Sequence, residues 1–472
     1  MSPANIRFGT DGWRGVIADD FTFENVRRVA QATADYWNAQ SQPKQTIVGY
    51  DNRFFSEVYA RLVCEVFAAN GLKALYPPVA SPTPAISYAV HQRHLCGAVM
   101  LTASHNPPQF NGYKIKADYA GSADPEVCRQ IEAWVDRTPV RFQNFEQAVK
   151  EGHVEIDDPR PAHIAAIKKH VDLRAIRRAK LRVVVDSMHG CGDELLAGVA
   201  SSPRLRVETI RANRDVLFGG TNPEPIGKNL GPLCAAVRRS RAHVGLATDG
   251  DADRLGVVDD RGRYVSIQIV FAMLVLHLVR NRQEAPGLVV KSANGTVLLD
   301  RICQAHGLKL AEVPVGFKYI CEKMRETDVL IGGEESGGIG FRGHIPERDG
   351  LLACLMLLEM LAMTGQKISR VIERVQKEFG RSVYDRVDMH FPLEKREKLI
   401  DSLRTSPPEK LLGVPVADVK TFDGIKYVCE DGSWLMFRAS GTEPIIRIYS
   451  EAPSATRVKR LLDLGRKRAQ SL

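Results

Sequence analysis

Short apolar runs that break into a polar, glycine-bearing turn and then a helical period recur along this chain. Residues 45–52 (QTIVGYDN) are the first such run, and residues 180–192 (KLRVVVDSMHGCG) and 287–295 (GLVVKSANG) repeat it. Each reads as a buried strand, rich in β-branched residues and bounded by turn formers. The helical pattern after the first run closes at Asn70-Gly71, and that after the third closes at His306-Gly307. Every unit then passes through strand, loop and helix to a third strand, at 98–101, 244–247 and 329–331. Alternating strands and helices predict mostly parallel sheets covered by helices. Spacings of roughly 105–135 residues are far too long for a solenoid, so the repeat unit is a whole domain.

The last ~90 residues differ in texture. Strands at 382–391, 424–428 and 434–438, a further strand near 444–451 and a terminal helix predict a smaller α+β domain. Breaks in the pattern place the boundaries. Asp157-Asp158-Pro159-Arg160-Pro161 looks like a linker, and further crossovers lie near 259–262 and 379–382. The expected domains are 1–156, 157–259, 260–378 and 379–472. The expected fold is α/β: three similar mixed or parallel-sheet domains plus a C-terminal α+β domain, set around a central cleft.

Composition narrows the classes. A chain of 472 residues is too long for one core, and 44% hydrophobic with 26% charged residues is ordinary globular usage. The longest apolar stretches, 267–279 and 351–363, fall short of the ~18–20 residues a bilayer span needs, so they read as core helices. No basic-then-apolar leader is visible, and nine scattered cysteines never adopt C-x-x-C spacing. The expected setting is a reducing cytoplasm, without a disulfide framework or zinc ribbon. The net charge of +9 concentrates at 168–182 and 451–472, neither interleaved with aromatics. These runs read as solvated helix faces rather than a nucleic-acid surface. A modest positive field also suits anionic small substrates.

Four loops carry candidate chemistry. Thr102-Ala103-Ser104-His105-Asn106-Pro107 follows the strand at 98–101 and places a hydroxyl nucleophile beside an imidazole. Taken alone it fits a serine nucleophile or a plain turn. Asp249-Gly250-Asp251-Ala252-Asp253-Arg254 sets three carboxylates at alternate positions, and without a cation each pair at ~4 Å costs roughly 1–4 kcal/mol. Oxygen donors alone select Mg²⁺, Mn²⁺ or Ca²⁺ over Zn²⁺. An EF-hand fails, because its sixth position requires glycine and is Arg254.

Gly332-Gly333-Glu334-Glu335-Ser336-Gly337-Gly338 pairs carboxylates with a hydroxyl among glycines, which suits a polyol. The overlapping G-x-G-x-x-G at 338–343 does not open into a helix, so it is no dinucleotide loop. Arg438-Ala439-Ser440-Gly441-Thr442-Glu443-Pro444 offers a guanidinium fork and hydroxyls for a phosphate, with Arg447 near.

Together with Gly9-Thr10-Asp11-Gly12-Trp13-Arg14-Gly15, these loops resemble, in order and over essentially the whole chain, the α-D-phosphohexomutase family of phosphoglucomutases and phosphomannomutases. The resemblance implies four domains in a heart-shaped arrangement. It implies that Ser104 is a phosphoserine and that Mg²⁺ is held by its phosphate and by Asp249, Asp251 and Asp253. Glu334 and Ser336 would bind sugar hydroxyls. Arg438, Ser440, Gly441, Thr442 and Arg447 would hold the phosphate not being transferred, and Arg254 would also contact substrate. Lys114 is the first choice for general acid/base, with Arg14, His105 and Lys318 as candidates for charge stabilisation or proton transfer. A metal-dependent phosphatase and a nucleic-acid or scaffold protein are the competing readings.

The implied reaction interconverts glucose 1-phosphate and glucose 6-phosphate through a glucose 1,6-bisphosphate intermediate, which also serves as activator. The expected partner is a hexose phosphate, with no nucleic acid or membrane, and the chain is a monomer or dimer. Residues 316–318 and 334–338 look like the glucose-handling branch. Bacterial phosphomannomutases and phosphoglucosamine mutases usually carry His where this chain has Gly338. Use of mannose, alone or beside glucose, is the alternative.

Overall fold

The computed structural model describes residues 6–9, 11–40, 43–439 and 444–470. Two compact units emerge: Met1–Val265 with Gly316–Ser369, and Ser266–Val315 with Arg370–Leu472.

In the first unit a six-stranded sheet runs in the order Trp13–Val16, Phe110–Ala117, Gly97–Leu101, Gln45–Tyr50, Lys73–Tyr76, Val154–Ile156. Gln45–Tyr50 pairs in parallel with Gly97–Leu101 and with Lys73–Tyr76. Gly97–Leu101 is buried along its whole length, as expected of a strand covered on both faces. Phe110–Ala117 runs antiparallel to Gly97–Leu101 and to Trp13–Val16. A five-stranded sheet repeats the plan in the order Tyr264–Val265, Leu255–Val258, Val244–Thr248, Arg182–Asp186, Arg206–Ile210, with its parallel strands at 182–248 and an antiparallel edge.

Segment 316–369 adds the helix Phe317–Glu326, the antiparallel hairpin Val329–Gly333 with Ile339–Phe341, and the helix Gly350–Thr364. The last is apolar on every side and buried through residue 361, which accounts for the run at 351–363. Asp349 caps it, its side chain accepting from the Leu352 N–H at 3.0 Å, and Gly365 ends it in the left-handed region at φ 61°.

The second unit contains the parallel pair Leu288–Ser292 and Lys309–Val313, joined by the helix Val297–His306. It also holds a sheet ordered Val383–His390, Ile445–Ala452, Trp434–Ala439, Ile425–Cys429, Val414–Lys420, Lys410–Leu411, antiparallel throughout. The helices Arg396–Thr405 and Ala455–Gln470 contribute to its core with Leu399, Leu403, Leu461 and Leu462. Among the described residues no single helix is long and apolar enough to cross a membrane.

Candidate active site and metal centre

Ser104 lies three residues past the end of the strand Gly97–Leu101, fully buried, with φ 52° in the left-handed region. A non-glycine residue held there is strained, so its surroundings must fix it. Arg53 does much of that. Its Nη2 donates to the carbonyls of Ser104 (2.7 Å) and Asn106 (2.6 Å), and its Nη1 to those of Pro107 (2.8 Å) and Phe110 (3.0 Å). Asp51 backs this guanidinium, with its Oδ2 at 3.2 Å from Nε, and also accepts from the Thr102 (2.5 Å) and Ser56 (2.7 Å) hydroxyls. Both residues sit past the C-terminal end of Gln45–Tyr50, the parallel neighbour of Gly97–Leu101, so sheet order delivers them to the loop. Arg53 is absent from the sequence reading. Its one signal was the polar turn that ends residues 45–52.

The acidic loop follows the strand Val244–Thr248. Asp249 Oδ1 accepts from the N–H groups of Asp253 (3.0 Å) and Arg254 (3.1 Å), closing the turn on itself. The Ser104 hydroxyl donates to Asp249 Oδ2 at 2.8 Å. Asp251 Oδ2 accepts from Thr83 Oγ1 (2.7 Å) and Lys114 Nζ (2.8 Å). Asp253 Oδ2 lies 2.8 Å from Arg348 Nε and 3.6 Å from Lys114 Nζ. All three carboxylates are buried, and one oxygen from each falls within 4.8 Å of the others.

Asp251 Oδ1 and Asp253 Oδ1 have no hydrogen-bond partner among the described residues, while Asp253 Oδ2 is held by its ion pair with Arg348. Orphaned buried acceptors in a purely oxygen donor set fit a hard divalent cation such as Mg²⁺. The electrostatics agree. Burial, then the charges of Asp253 and Asp251, push the Asp249 carboxyl well above its ordinary range. Burial works the same way on Asp251, but Lys114, Thr83 and Arg348 together hold that carboxyl below its ordinary range.

Lys114 lies on the antiparallel strand Phe110–Ala117 and is buried. Its Nζ stands 2.9 Å from Asp11 Oδ2 as well as 2.8 Å from Asp251. Burial opposes its charge, yet Asp11, Asp251 and Asp253 raise its pKa, so the ammonium keeps its proton. Arg14, opposite Gly112 in the strand register, donates to Asn106 Oδ1 at 2.6 Å. His105 Nδ1 is 3.4 Å from Ser104 Oγ, a long contact beside the 2.8 Å bond to Asp249. The serine hydroxyl is therefore directed at the acidic loop.

The glycine-rich loop is tied to the acidic one. Leu255 N donates to the Gly337 carbonyl at 2.9 Å, and Arg254 bridges Gly338. Gly337 has φ 98°, and a Cβ there would lie 2.4 Å from the Leu255 carbonyl, so only glycine fits. Glu334 is buried, with Oε2 3.6 Å from Arg348 Nη1, and Ser336 is half-buried in the same turn. Arg254 Nε lies 3.7 Å from Asp249 and 3.8 Å from Asp253. Lys318, in the first turn of Phe317–Glu326, lines a cleft with Gly9, Asp11 and Gly12. Arg348 joins Asp11, Asp253 and Glu334, and the sequence reading missed it because nothing local marks an arginine just before a helix cap.

In the second unit Arg438 and Arg447 stand directly opposite each other on the antiparallel strands Trp434–Ala439 and Ile445–Ala452. Asp423 lies 3.0 Å from Arg438 Nε, and Asp388 lies 3.9 Å from Arg447 Nε. Two guanidinium groups on one face suit an anion. Ser440, Gly441 and Thr442 lie outside the described residues.

Models of the phosphoglucomutase/phosphomannomutase α/β/α domains I, II and III match residues 5–140, 161–262 and 268–379, and the model of the C-terminal domain matches 399–464. The chain is 30% identical over 461 residues to a phosphoglucomutase/phosphomannomutase of Thermococcus kodakarensis, covering 97% of each chain. It is 29% identical over 451 residues to a phosphoglucosamine/phosphogalactosamine mutase of Sulfurisphaera tokodaii, covering 94% of this chain and 95% of that one. A crystal structure from Thermus thermophilus matches with TM-score 0.87 at 37% identity, covering 99% of this chain and 100% of the other. The chain belongs to the α-D-phosphohexomutase superfamily, in its phosphoglucomutase/phosphomannomutase family. It is an isomerase of phosphohexoses, with a buried aspartate cluster able to bind the metal on which this family depends.

Proposed function

We propose that the chain interconverts glucose 1-phosphate and glucose 6-phosphate, with Ser104 as a phosphoserine. The observation that carries this reading is the Ser104 hydroxyl bonded to an Asp249 whose companions Asp251 and Asp253 present oxygens without hydrogen bonds. A phosphoryl carrier and a cation site thus share one hydrogen bond. Mg²⁺ on Asp249, Asp251, Asp253 and the seryl phosphate would neutralise charge as the phosphoryl group moves.

The free sugar hydroxyl attacks the seryl phosphorus, the bond from phosphorus to Ser104 Oγ breaks, and a hexose 1,6-bisphosphate forms. After the bisphosphate turns end for end, Ser104 Oγ takes back the other phosphoryl group. Lys114, kept protonated by its carboxylate neighbours, is the general acid/base. Its ammonium gives a proton to the departing Ser104 oxygen and takes up the one the attacking sugar hydroxyl releases. In the second half, as the bond from phosphorus to the sugar oxygen breaks, the proton runs the other way. Arg14 holds the serine loop through Asn106, and His105 flanks the serine. Arg254, Lys318, Glu334 and Ser336 hold the sugar. Arg438 and Arg447, with Ser440, Gly441 and Thr442, hold the phosphate that is not transferred. Glucose is favoured by residues 316–318 and by glycine at 338. The sugar carried by the relatives varies, so a dual glucose/mannose enzyme is the second reading.

A coupled assay on glucose, mannose and glucosamine 1-phosphates, primed with the matching bisphosphate, tests the sugar. A higher kcat/KM for mannose or glucosamine would overturn the glucose assignment. Intact mass should show one phosphoryl group lost on Ser104→Ala, with turnover falling by about 10⁴-fold or more. A Ser104→Ala enzyme of normal rate would sink the phosphoserine step.

A further inference from the structure

Glycine at 338 has a structural explanation that backbone geometry does not supply. Its φ lies outside the positive region, so the backbone there accepts any L side chain. What forbids one is Arg348. A Cβ at 338 would lie 2.5 Å from Arg348 Cδ and 3.5 Å from both Arg348 Cβ and Glu334 Oε2. Phe317 packs against the same guanidinium, its ring centroid 5.6 Å from Cζ. The arginine is 3% exposed and has little room to move aside.

Through that gap Arg348 reaches three carboxylates from three distant segments. Nη2 is 2.7 Å from Asp11 Oδ2, Nε is 2.8 Å from Asp253 Oδ2 and Nη1 is 3.6 Å from Glu334 Oε2. We infer that Gly338 and Arg348 form one device, in which the glycine clears the path along which Arg348 sets the sugar-loop carboxylate Glu334 against the metal-loop carboxylate Asp253. Arg348 is thus a positioning residue for the mutase reaction, and the role given to Glu334 rests on the function proposed above. Its guanidinium also lies beside a metal ligand, so it lowers the affinity of the acidic loop for a divalent cation.

A double-mutant cycle tests the coupling. Gly338→Ala should raise KM for the hexose phosphate about tenfold with kcat changed less than about threefold, because sugar binding is loosened while phosphoryl transfer is kept. It should also tighten Mg²⁺ binding, measured by calorimetry, as the guanidinium leaves Asp253. Arg348→Met should do both more strongly, and Gly338→Ala placed on top of it should change neither further. A merely structural defect would instead weaken Mg²⁺ binding. If Arg348→Met does not fold, Arg348→Lys takes its place in the cycle.

Independent, multiplying effects of the two substitutions would overturn the inference, as would a Gly338→Ala protein with unaltered KM and Mg²⁺ affinity. Should the parent enzyme turn over no hexose phosphate, the proposed function fails. The Mg²⁺ affinities of the four proteins would still decide the coupling.

Discussion

Among the described residues of the larger unit, two clusters gather three ligand-type side chains around a point, and they differ in how the protein satisfies the converging atoms. Asp249, Asp251 and Asp253 form the first, and His163, His344 and Asp349 the second. In the second, Asp349 Oδ2 lies 2.6 Å from His163 Nε2 and 3.1 Å from His344 Nε2, while Oδ1 accepts from Leu352 N. Ligand atoms around a tetrahedral ion with bonds of ~2.0–2.2 Å sit about 3.3 Å apart, so the 2.6 Å contact is a hydrogen bond and leaves no space for an ion. Burial opposes the Asp349 charge, but His163 and then His344 hold its carboxyl well below the ordinary range. The three converging atoms, Asp349 Oδ2 and the two Nε2 nitrogens, pair with one another, and the buried atom left without a hydrogen bond is the other ring nitrogen of His163. The aspartate cluster leaves Asp251 Oδ1 and Asp253 Oδ1 without a hydrogen bond. Convergence of ligand atoms does not define a metal site; buried acceptors that the protein itself leaves unsatisfied do.

Asp253→Asn should abolish the rise in melting temperature that Mg²⁺ gives the parent enzyme and lower kcat by about 10³-fold. A variant that still responds to Mg²⁺ would erase the distinction between the clusters. Asp349→Asn should destabilise the fold by about 2–4 kcal/mol through lost acceptors and a weakened helix cap, with Mg²⁺ affinity unchanged by calorimetry. Altered metal stoichiometry in that variant would give the histidine cluster a metal role.

The pH dependence of that difference sharpens it. Asp349 has a folded pKa below its unfolded value, so its stabilisation is fully present above the ordinary carboxylate range and is lost as pH falls through it toward the folded value. The stability gap between parent and Asp349→Asn, read from denaturant curves, should therefore shrink as the pH falls below about 4. Smallest of all, Thr83→Val removes one donor from Asp251 and should cost about 1 kcal/mol in the metal-free protein. A larger loss there would mean that the acidic loop depends on its hydroxyl donor more than on its cations.

Much of this site was legible in the chain. The strands Gln45–Tyr50, Gly97–Leu101, Val244–Thr248 and Val329–Gly333 appear where the apolar runs predict them, and the serine and acidic loops sit at their ends. The strand Phe110–Ala117 was not read from the pattern, although it carries Lys114 and links Trp13–Val16 to the sheet. Its residues include Asn111, Lys114 and Lys116, all buried, so no apolar alternation announces it. Arg53 and Arg348 were missed for a related reason. An arginine is written the same way whether it ends in water or in a buried fork.

The sequence by itself determined the alternation of elements and the loops that follow them, because hydrophobic period and turn chemistry act between near neighbours, and it carried the family through the resemblance of those loops. The tertiary structure alone decided which charges meet. Lys114 finds Asp251 across 137 positions, His163 finds Asp349 across 186 and Arg348 finds Asp11 across 337. A buried charge is tolerable only with its partner in place, and that partner is supplied by the packing of distant segments, which no local pattern encodes.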